Sequence, residues 1–328
     1  MVDSATWPER GVSRDEFIER VAAEGRARYR DLAWRNIDDA YAVLVSEIML
    51  QQTQVKRVER FWTRWLSAFP TIDALAAAST SDVLEMWQGL GYNRRALALK
   101  RTADLCSAEL GGCLPQTYDG LLALPGIGPA TAAGVMAFAH QQPGVYLETN
   151  VRAVFIHELF SSEEKVSDKM LIPLVEQTCP AAPSDLRRER AMSADERSSC
   201  GAASSRGDLS SALNAPDPLH GPREWYYALL DYGAHLKATV VNPTRKSAHY
   251  VRQSAFEGSR RQKRSWIVRR VLAADSKGIS VEHVAEELDR VERGAGRDGV
   301  DAAQMASILQ DLVQEGFFKR DGDMLLPM

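Results

Sequence analysis

Glu47 is the one carboxylate in AYAVLVSEIML, residues 40–50, where only Tyr41 and Ser46 otherwise carry a polar group. A carboxyl set among hydrocarbon loses solvation of its charged form, so its pKa rises. A carboxyl that stays protonated near neutral pH can give its proton to a leaving group. The alternative is a helix-end acid facing water, and the flanks Val45 and Ile48 weigh against it. A second stretch with chemical capacity is LPGIGPATAAGVMAFAH, residues 124–140. Its Gly-x-Gly turn leaves backbone N–H groups uncovered in front of a helix, where they and the helix dipole favour an anion. A DNA phosphate, a nucleotide phosphate or a carboxylate would all satisfy that turn, and so would a tight αα-hairpin with no ligand. A third is the run from Thr244 to Arg270, with nine basic residues against one acid, Glu257. Such a belt binds phosphates or is simply solvated.

Helices must position these groups. AYAVLVSEIMLQQTQVKRVERFWTRWLSAF, TSDVLEMWQGL and RRALALKRTADLCSAEL repeat apolar residues at three- and four-residue spacing, with few alternating β-branched runs. Thr80 or Ser81 and Thr117 are candidate N-caps, and Gly111–Gly112 a stop. Residues 181 to about 222 hold almost no large apolar side chain, which predicts a disordered insertion. Helical spacing resumes at REWYYALLDYGAHLKA. From Ser265 to Met328 the pattern is three helices, then two short strands around Asp-Gly-Asp, which is winged-helix-like. The chain of 328 residues is 45% apolar with a net charge of −4. No run of about 18 uncharged apolar residues predicts a membrane span, and the start lacks an apolar signal core, so a cytoplasmic protein is expected. Cys106, Cys113, Cys179 and Cys200 fit neither a disulfide framework nor a common metal spacing, and free thiols are expected.

LPGIGPATAAG, preceded by RDLAWRN, SEIMLQQTQV and WQGLGYNRRALALKRTA and followed by LETNVRAVF, resembles the helix-hairpin-helix (HhH-GPD) base-excision DNA glycosylases, in particular their adenine DNA glycosylase (MutY-type) branch. The likeness runs from about Arg30 to Phe160 and resumes at ALLDYGAHLKA. It implies an all-α, two-lobed helix-hairpin-helix glycosylase fold with a C-terminal winged-helix-like domain. The implied lobes are a six-helix domain at 38–145 and a second lobe from 14–37 and 146–262, with the winged-helix-like unit at 265–328 and the active site in the cleft between lobes.

By this resemblance Glu47 protonates the departing purine, and Glu148 stands where the family has its catalytic aspartate, one methylene longer. A carboxylate there stabilises an oxocarbenium-like state. Asn150 matches an asparagine that positions the acid and water, and an N-cap is its other reading. Gln52 would probe the duplex, Gln51 would line the pocket, Tyr92 would stack near the duplex, and Asn93 replaces the family's wedge tyrosine. Main-chain groups of Gly126, Gly128 and Ala130 would hold a phosphate, and hairpin carbonyls commonly hold a monovalent cation in the family. Arg260, Arg261 and Arg264 would add positive surface. Ala130 replaces the Schiff-base lysine of bifunctional relatives, so base removal by water without a β-lyase step is implied. Most relatives then carry Cys-x₆-Cys-x₂-Cys-x₅-Cys for a [4Fe–4S] cluster. Here HLKATVVNPTRKSAHYVRQSAFEG has no cysteine, with Lys237 at the first ligand position, so no cluster is expected. The family's 8-oxoguanine-recognition domain is not found either. The expected partner is double-stranded DNA, met by a monomer, with mispaired adenine as the favoured base. Hypoxanthine or uracil are rivals within the class. A non-catalytic DNA-binding regulator and a helical scaffold are rivals outside it.

Overall fold

The computed structural model describes residues 7–8, 11–183, 216–251, 255–274 and 277–328. Most of the expected insertion, and Arg252 of the basic run, lie outside the described residues. The described residues divide into two units, Met1–Glu47 with Leu114–Arg252, and Ile48–Cys113 with Gln253–Met328.

The first unit is built from helices α1 (Arg14–Ala27), the front of α2 (Ala40–Leu50), α7 (Tyr118–Leu122), α8 (Pro129–Phe138), α9 (Thr149–Leu159), α10 (Asp168–Thr178) and α11 (Pro222–Thr239). Ser13 starts α1 through a capping box with Glu16. Helix α11 carries WYYAL, residues 225–229, all of it buried, and packs on α9, α1 and α8. A helix apolar on most sides belongs in a core, and α11 occupies that place. One ion cluster ties it to the segment before α2. Arg35 donates to both oxygens of Asp231, at 2.7 and 2.8 Å, and Arg30 Nε donates to the same carboxylate at 2.6 Å. The Arg35 guanidinium also lies 4.3 Å from the centre of the Tyr227 ring. RDLAWRN and LLDYGA are thus two halves of one buried contact.

The second unit combines α3 (Val55–Ala68), α4 (Ile72–Ala77), α5 (Thr80–Trp87) and α6 (Arg94–Glu109) with α12 (Arg260–Leu272), α13 (Val281–Gly294) and α14 (Ala302–Glu315). Trp65 and Trp87 meet edge to face, their ring centres 5.4 Å apart. Strands β2 (Lys319–Asp321) and β3 (Met324–Leu326) form an antiparallel hairpin. A short β1 (Ile279–Ser280) pairs with β3, giving the order β1-β3-β2. The three helices and hairpin lie where the sequence put them, although α12 begins at Arg260, inside the basic run. Helix α12 packs on α5 as well as on α13 and α14.

Local signals behave unevenly. Thr117 caps α7, and Gly111 and Gly112 take positive φ after α6, as expected. The cap of α5 is Ser79 instead, one residue before the expected pair, its hydroxyl accepting from Asp82 N. Cys106 and Cys179 are free thiols. Cys113 is disulfide-bonded, which corrects the free-thiol expectation for it. Cys200 lies outside the described residues. No described helix is long and apolar enough to cross a membrane.

Candidate active site

Helix α2 brings Glu47 into the first unit with Val43, Leu44 and Val45 buried beside it. Its carboxylate lies against α8 at Gly134. A Cβ placed there would overlap the Glu47 carboxylate and lie 3.0 Å from the Tyr146 ring. Any side chain at 134 would force the Glu47 carboxyl to move. The Tyr146 hydroxyl is hydrogen-bonded to Glu47. Tyr146 is itself held edge to face by Phe138 and Tyr226, with ring centres at 5.1 and 5.3 Å. Its backbone N–H donates to the Tyr226 hydroxyl at 3.1 Å.

Glu148 stands directly before α9 and caps it. One oxygen accepts from Asn150 N at 2.5 Å and from Val151 N at 3.3 Å. Shorter side chains usually do this, so the extra methylene is used to fold the carboxylate back onto the helix end. Asn150 is therefore not the N-cap, contrary to its alternative reading. It sits in the first turn of α9, and its side-chain oxygen accepts from Lys237 Nζ at 3.1 Å.

Electrostatics separate the two acids. Burial pushes Glu47 up to about 8, opposed by the Tyr146 hydrogen bond and reinforced by the neighbouring negative charge of Glu148. At pH 7 Glu47 is thus mainly protonated. Burial also raises Glu148 above its ordinary value, and the N–H groups of Asn150, Val151 and Thr149 and the charge of Lys237 offset only part of that rise. Both carboxyls are raised, but Glu148 alone has backbone N–H donors and a lysine charge that favour its ionised form, and such a difference suits acid and base roles.

The glycine hairpin joins α7 to α8 in the same unit. Gly126 turns with a φ of +74°, and Ile127 is buried. Gly128 is the N-cap of α8 and offers no side-chain oxygen of its own to the first-turn amides. The expected residues Glu47, Glu148, Asn150, Gly126, Gly128 and Ala130 thus share one unit. Gln51, Gln52 and Tyr92 lie in the other. Gln51 and Gln52 are exposed just past α2, and Gln52 and Tyr92 have positive φ, +55° and +49°. Arg95 holds this turn by donating to the carbonyls of Ile48, Met49 and Gln51 at 2.7, 3.1 and 2.6 Å.

The three belt arginines are engaged within their unit. Arg260 and Arg264 both bond Asp311, at 2.7 and 3.3 Å, and Arg264 also bonds Glu315 at 2.6 Å. Arg261 donates to the Tyr92 hydroxyl at 2.6 Å. An iron–sulfur cluster after α11 does not fit these residues. No thiolate is available there, and the side chain at the first ligand position, Lys237, is a cation turned to Asn150.

Sequence reasoning missed Tyr146, Gly134 and Arg95. For Tyr146 a signal was present, since in the extended run VYLE residues 146 and 148 point the same way. Gly134 was hidden among the small residues of α8. Replacing it with alanine is expected to displace the Glu47 carboxyl and lower turnover by about 100-fold. Single-turnover rates on a cleaved duplex, beside an unchanged far-ultraviolet dichroism spectrum, check this.

Residues 45–180 match the family model described as HhH-GPD superfamily base excision DNA repair protein. Over 138 residues the chain is 45% identical to the adenine DNA glycosylase of Mycolicibacterium smegmatis, covering 42% of this chain and 47% of that one. Over 134 residues it is 41% identical to the adenine DNA glycosylase of Homo sapiens, covering 38% of this chain and 24% of that one. The chain thus spans about half the length of the bacterial relative and about a quarter of the human one. A solved thermostable thymine-DNA glycosylase aligns with a TM-score of 0.46 and 24% identity, over 53% of this chain and 81% of that one. The HhH-GPD model begins just before Glu47 and takes in the hairpin and Glu148, so residues 45–180 are similar to the HhH-GPD superfamily of base excision DNA repair proteins.

Proposed function

We propose that the protein is a monofunctional DNA glycosylase, acting in base excision repair, that hydrolyses the N-glycosidic bond of a flipped base in duplex DNA, with mispaired adenine as the favoured base. The observation that carries this reading is the pair of carboxyls with separated roles. Glu47 keeps its proton up to about pH 8, while Glu148 is surrounded by N–H donors and a lysine that favour its charge. In the reaction, Glu47 gives its proton to the departing base as the bond from C1′ to the base nitrogen breaks. Glu148 stabilises the positive charge left on the sugar. Water then adds its oxygen to C1′ and releases a proton to a carboxylate. Ala130 offers no amine for a Schiff base, so the reaction stops at the abasic site.

The duplex contacts are assigned to the hairpin amides from Gly126 to Ala130 and to Gln51, Gln52 and Tyr92. Backbone strain at a non-glycine residue persists where surroundings hold it, and it gathers at functional turns. Gln52 and Tyr92 are two of the four non-glycine residues with positive φ among those described. Of the two arginines that bond Asp311, Arg260 retains more surface for a phosphate, with 42% side-chain exposure against 15% for Arg264. This reading takes the protein as a cytoplasmic monomer working without an iron–sulfur cluster. A monovalent cation at the hairpin carbonyls is compatible with it.

The test is incubation with labelled duplexes carrying adenine opposite guanine, adenine opposite 8-oxoguanine, hypoxanthine, or uracil, resolved with and without alkali. Alkali-dependent cleavage, absent in Glu47→Gln and Glu148→Gln, is the expected result and names the base. Binding to every duplex with no alkali-labile site would replace this reading with that of a non-catalytic DNA-binding protein.

A further inference from the structure

Gly233 and Lys237 lie four residues apart on α11, so they share one face of that helix. Both meet Asn150. At Gly233 the helices touch backbone to backbone, because a Cβ there would overlap the Asn150 carbonyl. One turn later Lys237 Nζ reaches the Asn150 side-chain oxygen at 3.1 Å. The missing Cβ is what brings the lysine within reach. Resting on the glycosylase reading above, we infer that Lys237 is a positioning residue for base removal: it fixes the amide of Asn150 and sets a cation opposite Glu148. The position where the sequence resemblance expects a cluster thiolate has thereby been turned to the active site.

An ammonium only donates, so the Asn150 oxygen must face Lys237 and its NH₂ must point the other way. Asn150 N is meanwhile committed to Glu148. One residue therefore links the lysine to the carboxylate through both its side chain and its backbone. The groups acting on Glu148 are Glu47 from α2, Tyr146 ahead of it, the first-turn amides of α9, and Lys237 from α11. Among these Lys237 supplies the positive side-chain charge, and it lowers the Glu148 pKa against the burial that raises it. A glycosylase that needs Glu148 ionised beside a protonated Glu47 loses this balance when the cation goes.

The sign follows. Without Lys237, Glu148 holds its proton to higher pH, so the acidic limb of the pH–rate profile moves upward. Lys237→Met is expected to reduce single-turnover base release about 10-fold near pH 6, with a smaller loss at higher pH. Lys237→Arg, which keeps charge and donors, is expected to restore most of the rate. A rate unchanged in Lys237→Met, or one lowered equally at every pH with a lower Tm and no recovery in the arginine variant, would overturn the inference. The Glu148 carboxyl should also be followed by carbon-13 NMR in the free protein. Its titration is expected to move upward in Lys237→Met and to return in Lys237→Arg. That readout needs no DNA. If no duplex is cleaved but the titration moves, the glycosylase reading falls while the link from Lys237 to Glu148 stands. An unmoved titration in an active enzyme removes the link alone.

Discussion

Glu47→Gln is expected to abolish base release to within about 1% of the original rate or less, since a positioned general acid contributes roughly 10²–10⁴-fold. The same variant should be more stable than the parent in alkali. Glutamine keeps an oxygen for the Tyr146 hydroxyl and cannot ionise. In the parent, Glu47 titrates near 4.5 when unfolded and near 8 when folded. The folded state therefore holds a proton that the unfolded state releases, and stability falls as pH rises between those two values. The ceiling on that loss is about 1.4 kcal/mol per pH unit. Because the carboxyl is partly reached by water, a gap on the order of 2 kcal/mol by pH 8 is the reasonable expectation. Urea unfolding at pH 5 and at pH 8 measures it. The two proteins should unfold alike at pH 5 and separate at pH 8. An acid that destabilises its own fold to remain protonated is what a functional carboxyl looks like, whereas a surface acid would give no gap at either pH.

Asp231→Ala is expected to have the largest effect on stability, about 3–5 kcal/mol. The Asp231 carboxylate is fully covered, and the Arg35 side chain keeps 2% exposure. Removing the aspartate leaves a buried guanidinium without its counter-charge. Arg30 matters less, because 35% of its side chain remains exposed. Buried ion pairs are costly to break and cheap to replace, so Asp231→Leu combined with Arg35→Met should recover much of the loss. Thermal unfolding of the two single variants and the double variant checks this. Losses that simply add would mean the two residues do not act as a pair.

Much of the site could be read from local pattern because its chemistry is local. Glu47 is conspicuous as a charge inside an apolar helix, and the glycine hairpin announces itself by its turn. The contact between Arg35 and Asp231 spans 196 positions, and no local rule joins RDLAWRN to LLDYGA. RDLAWRN stands out only through resemblance, and LLDYGA only as part of a helical run or through the same resemblance. The basic belt misled in the opposite way. Its nine positive charges stand close in sequence, but Asp311 and Glu315 from α14 come back to meet Arg260 and Arg264. Charge counted along a chain is not charge left on a surface. Asn150 shows a finer limit. Its polar side chain at a helix start suggested a cap, yet the glutamate two residues earlier is long enough to take that role. Lys237 was visible only as an absent cysteine. Its use became apparent once Gly233 had brought two helices into contact.

The central claim is that a protonated Glu47 and an ionised Glu148 act together on the same bond. It is tested most directly by single-turnover base release from a duplex carrying adenine opposite guanine, followed from pH 5 to pH 10. The account predicts a plateau near neutrality and a loss of rate as pH rises through about 8, where Glu47 gives up its proton. A rate that stays level or climbs beyond pH 9 in a protein that still releases the base would contradict it, since the protonated share of Glu47 falls about tenfold per pH unit there.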